Sequence, residues 1–157
     1  DEKIAALMDW TGDSYKSING YLFGGRNPSK DVIHQVECID EAISDHITRE
    51  RFTVDRQMRL STFHVNDMES LFDLNTGRTF EHIGYMATSI KEGGIDVDGE
   101  DRIATRILVP PGSAGVYVEP ITQHPGEYEI LLPRGRALRF EGLGASDGRP
   151  IVYLRLL

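Results

Sequence analysis

Cysteine is nearly missing from this 157-residue sequence: Cys38 stands alone, so no disulfide can close within the chain and no cage of thiolates can form. Long apolar runs are missing too, and none approaches the roughly 18–20 residues that span a bilayer as a helix. Positive charge is scarce: 17 Lys and Arg stand against 25 Asp and Glu, a formal net charge of −8. Such a surface repels nucleic-acid backbones and anionic membranes, so neither is expected as the main partner. No nucleotide-type phosphate loop is present, because Gly24-Gly25 lacks a preceding strand and a following Lys-Ser/Thr pair. No strand–Gly-x-Ser-x-Gly–helix elbow occurs. His34, His46, His64, His82 and His124 lie singly, without metal-ligand spacing. Surface or satisfied core roles are expected for them, and no metal.

What is there is the makings of one folded domain over residues 1–157. Hydrophobic residues are 39% and charged residues 27%, so the chain can bury a core and is not a disordered segment. It starts at Asp1 without Met and is expected to be excised from something longer, with any targeting signal left behind. Apolar spacings of three and four predict short helices over residues 4–9 and 14–23, the second capped by Ser14 and ended by Gly24-Gly25. Val32, Val36, Ile39, Ile43 and Ile47 form a helical stripe from Asp31 to Thr48, with Cys38 beside it as a buried, inert thiol. From Arg51 the pattern shortens. Strands are expected at Phe52–Val54, Ile83–Ile90, Arg102–Val109, Ala137–Glu141 and Ile151–Leu157, with a short helix at Met68–Leu74. Lys91 to Asp101 reads as a polar, Gly-rich loop. Helices first and strands later, without βαβ alternation, predict an α+β fold with a mostly antiparallel sheet system.

The stretch from Val109 to Gly135 adds two more short strands, Ala114–Val118 and Tyr128–Leu132, set among prolines and glycines. The second opens Glu127-Tyr128-Glu129. Residues two apart on a strand face the same way, roughly 6.5–7 Å apart, so both carboxylates should look out on one side beside a tight turn.

Four segments in order carry a resemblance. They are Thr11–Leu22 (TGDSYKSINGYL), Phe52–Arg56 (FTVDR), Gly84–Ile90 (GYMATSI) and His124–Gly135 (HPGEYEILLPRG). The set resembles the mono-ADP-ribosyltransferases of the clostridial and Bacillus binary-toxin type, which share Arg, Ser-Thr-Ser and Glu/Gln-x-Glu in that order. The resemblance implies N-terminal helices packed on a two-sheet β core. It also implies NAD as substrate and a target protein modified on arginine, since Glu rather than Gln fills the first place of the pair.

Residue by residue, Arg56 matches the arginine that holds NAD through its phosphates and ribose, with Arg59 in reserve. A planar fork of donors suits that anion. Asn19 matches a polar contact to the dinucleotide. Thr88 and Ser89 match the last two residues of the triplet, implying support of the nicotinamide pocket. Glu129 matches the catalytic glutamate, which stabilises an oxocarbenium-like ribose. Glu127 matches the residue that readies the arginine acceptor. Two close carboxylates should also raise one pKa. Three positions depart from the pattern: Ala87 stands where the first Ser is usual, Phe23 where an Arg is usual, with Arg26 as a stand-in, and Asp55 where a Tyr is usual. Pro120–Gly126 occupies the place of the target-reading turn, with His124 where an aromatic is common. The resemblance implies a secreted or delivered toxin acting in the target-cell cytoplasm, and an immunity or inhibitor protein is a candidate partner. An NAD glycohydrolase and a catalytically impaired binding module are the competing readings.

Overall fold

The computed structural model of the chain describes residues 1–25, 27–94 and 101–157. The helices are α1 (Glu2–Asp9), α2 (Tyr15–Leu22), α3 (Lys30–Ser44) and the short α4 (Met68–Phe72). A π-helical turn over Trp10–Ser14 joins α1 to α2 through a kink at Gly12. The strands are β1 (Phe52–Arg59), β2 (Thr79–His82), β3 (Met86–Ser89), β4 (Arg102–Val109), β5 (Val116–Tyr117), β6 (Glu129–Leu132), β7 (Arg136–Ser146) and β8 (Arg149–Leu156).

Among the described residues these strands hydrogen-bond in the order β2-β7-β8-β4-β1-β3-β6-β5. Only the β4–β8 pair is parallel. The join between β1 and β3 is a single register pair, Asp55 with Ser89. The sheet therefore behaves as two halves, five strands and three, meeting at a narrow seam. Each half has its own core. Val54, Met58, Phe63, Phe80, Ile107 and Leu138 belong to the first, and Leu7, Trp10, Ile18, Ile39, Tyr85 and Leu131 to the second, under the helices.

The seam explains the sequence pattern of β6. Leu132 packs into one core and Leu131 into the other, so this strand is covered on both faces and reads as an unbroken apolar run. β4 is covered on one face and alternates cleanly. The same pleat puts Glu129 on the side of Leu131, at the rim of the helical core.

Several expectations need correction. α3 is capped at Ser29, whose hydroxyl accepts from Val32 N–H at 3.2 Å, and it stops at Ser44. Ile47 leaves the helical stripe and bridges Ala114 instead. Ser14 caps nothing: it has helical dihedrals and makes no capping bond, because the π-helical turn already feeds α2. The run Ile83–Ile90 is not one strand; the chain crosses from one half-sheet to the other at Ile83–Tyr85, where Gly84 packs so closely that a Cβ would lie 2.9 Å from the Phe23 ring. β1 runs on to Arg59, so Arg56 sits inside a strand rather than at its end. Tyr128 has φ 49° and precedes β6, and β5 keeps only two of the five residues expected. Cys38 is buried, as expected. No helix among the described residues is long and apolar enough to cross a membrane.

Candidate active site

The seam opens into a cleft of about 580 Å³ between the helical layer and the sheet, lined by Trp10, Asn19, Arg56, Tyr85, Glu127 and Glu129 among others. A second hollow of about 470 Å³ adjoins it, sharing Arg56, Gln57, Arg59 and Arg102 and adding Phe23 and His82. The two lobes thus meet at a waist rich in guanidinium groups.

Glu129, first residue of β6, is 5% exposed. Burial pushes its carboxyl from the ordinary 4.5 up to about 7; the indole of Trp10 opposes the rise, the charge of Glu127 adds to it and Arg56 opposes it. Trp10 Nε1 donates to Glu129 Oε2 at 3.2 Å. Arg56 donates to the Ala87 carbonyl at 2.7 Å, while its buried Nε has no partner. Burial, and then the charge of Arg102, lower this guanidinium to about 10, still charged at neutral pH. Asn19 Oδ1, on α2, is likewise buried and unpaired. Buried polar atoms without partners are costly, and two of them in one cleft suit a ligand that supplies the missing bonds.

Glu127 shares the cleft with Glu129, but not through strand alternation. It lies in the turn before β6, and the left-handed backbone at Tyr128 delivers it to the same side. Glu119 holds that turn, accepting from the Gly126 and Tyr128 amides at 2.7 and 3.0 Å. Gln123 ties the turn to the kinked segment, donating from its backbone N–H to Thr11 Oγ1 at 3.0 Å and from its side chain to the Met8 carbonyl at 2.9 Å.

Thr88 and Ser89 are fully buried and do not line the cleft. Their hydroxyls donate to the carbonyls of Ile130 and Glu127 at 2.7 and 2.5 Å. They fasten β3 to the backbone that carries the two glutamates. Asp55, the departure from Tyr, accepts a two-pronged bond from Arg106 at 2.9 and 3.0 Å and the Gly93 amide at 2.8 Å. It pins the start of the loop after β3. Phe23 meets His82 edge-on, with ring centroids 6.2 Å apart, and burial lowers that histidine to about 4, so the wall it forms is neutral. Arg26, expected as a substitute cation, lies outside the described residues, as does most of the Gly-rich loop. Gly144-Ala145-Ser146-Asp147-Gly148 matches a nucleophile elbow in letters alone; it forms the β7–β8 hairpin.

Sequence reading missed Trp10, Glu119 and Gln123. The one available signal was that Trp10 is the sole tryptophan. The other two act through contacts that depend on how the turn folds back.

Residues 1–150 match the model of the ADP-ribosyltransferase exoenzyme family, and the chain belongs to that family. It is 31% identical over 163 aligned residues to the epidermal cell differentiation inhibitor of Staphylococcus aureus, covering 86% of this chain and 64% of that protein. With the mono-ADP-ribosyltransferase C3 of a Clostridium botulinum C phage it shares 39% identity over 75 residues, 47% of this chain and 30% of the relative. The chain therefore spans less than two thirds of either curated relative. Its fold superposes with a TM-score of 0.79 on C3stau2 from S. aureus, solved with NAD, at 19% identity, covering 99% of this chain and 86% of that one.

Proposed function

We propose that this chain is an NAD-dependent mono-ADP-ribosyltransferase that modifies arginine on a target protein, as the toxic module of a secreted or delivered protein acting in the target-cell cytoplasm. One observation carries the reading: Glu127 and Glu129 share a cleft with Arg56 and Asn19, each of which carries a buried polar atom without a partner. The bilobed hollow, with its cationic waist, fits a dinucleotide whose diphosphate needs planar donors. Asn19 and Arg56 would complete their hydrogen bonding on NAD.

In the reaction the bond between the ribose C1′ and nicotinamide breaks. Nicotinamide leaves with the electron pair, and the ribose becomes an oxocarbenium-like cation. Ionised Glu129 stabilises that charge from a fixed, poorly hydrated position, where electrostatics is strong. A guanidinium nitrogen of the target then bonds to C1′, and Glu127 takes the proton it gives up. Thr88, Ser89, Glu119 and Trp10 act by holding the two carboxylates in place.

The test is a paired assay with labelled NAD and an arginine-rich acceptor, mapping the modified side chain by mass spectrometry. Glu127→Gln should keep slow nicotinamide release yet lose label transfer to arginine, while Glu129→Gln should lose both. Label on another side chain would refute the acceptor assignment, and an undiminished rate in Glu129→Gln would refute the mechanism.

A further inference from the structure

Away from the cleft, on the outer side of the helical layer, α1 and α3 bring three unlike side chains together. Glu2 comes from the first turn of α1, and His34 and Cys38 lie four residues apart on α3. One ligand atom from each falls within 4.8 Å of the others. His34 Nε2 is 3.6 Å from Cys38 Sγ and 3.5 Å from Glu2 Oε1. The reading of the histidines as lacking ligand spacing overlooked this pair, because residues four apart on a helix stack on one face.

Three explanations fit such a cluster: a hydrogen-bonded pair only, a reactive thiol, or a cation site. Cys38 is 7% exposed, which closes it to the solvent-borne reagents that a reactive nucleophile meets. The distances bear on the remaining choice. With zinc bonds of about 2.3 Å to sulfur and 2.0–2.2 Å to nitrogen and oxygen, a tetrahedral angle separates sulfur from nitrogen by about 3.6 Å and nitrogen from oxygen by about 3.4 Å. The two measured separations are close to these values. The third separation, Glu2 to Cys38, also falls within 4.8 Å, so the three donors can share one centre. The charge around the cluster is negative as well, because Glu37 and Glu41 add to Glu2 at the thiol and only Lys3 opposes them.

We propose that Glu2, His34 and Cys38 form a three-residue site for a borderline-soft divalent cation, zinc(II) by its donor set. Sulfur and imidazole favour zinc and cobalt over magnesium and calcium. On binding, Cys38 releases its proton to solvent and coordinates as the thiolate, and the Nε2 lone pair of His34 replaces its contacts to the neighbours. Water takes the fourth position, since Glu2 and His34 are exposed. The cation ties the start of α1 to α3, reinforcing the packing of Ala6 and Leu7 on Ile39 and Ala42. The site is independent of the ADP-ribosyl transfer proposed above.

Cobalt(II) titration of the full chain tests it. One equivalent should give a thiolate-to-cobalt charge-transfer band in the near ultraviolet, and zinc(II) should bleach it while magnesium(II) should not. Zinc a hundredfold above its Kd should raise the Tm by roughly 5–10 °C. The exposed variant His34→Ala, which has no reason to misfold, should lose both the band and the Tm shift, and Glu2→Gln should weaken binding at least tenfold. Absence of the band in the native chain, its persistence in His34→Ala, or unchanged affinity in Glu2→Gln would overturn the site.

Discussion

Replacing Trp10 by Phe removes three ring atoms of a buried side chain, the indole N–H among them, so a pH-independent packing loss accompanies the electrostatic one. The ring would still meet Tyr85, whose centroid lies 5.4 Å from that of Trp10 in an edge-to-face contact. What disappears is the 3.2 Å bond to Glu129 Oε2, between two side chains that are 4% and 5% exposed. A hydrogen bond to a charged group contributes about 1.5–3 kcal/mol, and this one is long, so about 1.5 kcal/mol is the appropriate choice. That raises the Glu129 pKa by about one further unit. The carboxylate is the working form, so the fraction ionised at pH 7 should fall from about one half to about one tenth, a loss of about fivefold in rate. At pH 9 both proteins should be more than about nine-tenths ionised, and their rates should converge. The assay is the initial rate of nicotinamide release at NAD well below its KM, where the rate reports the free chain's ionisation, across this range. A loss of the same factor at every pH would show that Trp10 acts by packing, and no loss at pH 7 would refute the account of Glu129.

The raised pKa of Glu129 also fixes the sign of a stability effect. A carboxyl whose folded value lies above its unfolded value contributes least to instability when protonated, so native stability should fall as pH rises from about 4.5 through about 7. Glu129→Gln should therefore exceed the native chain in stability by about 3 kcal/mol above pH 7, with the difference closing towards pH 4.5; denaturant titration at several pH values checks this, and a constant difference would contradict it. Arg56→Lys keeps the charge but loses the fork, so calorimetry should find NAD binding weaker by about 10–100-fold, and unchanged affinity would remove Arg56 from the site. Glu119→Gln weakens the acceptor for the Gly126 and Tyr128 amides, so hydrogen exchange should quicken across residues 122–128 while NAD affinity holds. Unaltered exchange there would mean that the turn is held by something else.

The amino-acid sequence by itself determined that helices come first and strands later, because hydrophobic period is a local property, although β2 (Thr79–His82) went unread. The stripe Val32–Ile43 and the alternation of Arg102–Val109 were legible for that reason. The same local reading ran too far at Ile47 and through Ile83–Tyr85, where apolar residues serve a bridge and a crossover rather than the element they seemed to extend. The pair Glu127 and Glu129 was also visible in the sequence, yet what brings both carboxylates to one side is the left-handed backbone at Tyr128, held by the carboxylate of Glu119. Only the tertiary structure decided the environment that gives Glu129 its chemistry. Desolvation depends on what the fold packs around a residue, and the indole that opposes it, Trp10, is 119 positions away in the chain. It also decided that Thr88 and Ser89 bond the backbone rather than face the cleft, because the seam between the half-sheets buries both hydroxyls. The identities of the groups were written in the sequence, whereas their burial, partners and pKa values came from contacts that no local pattern encodes.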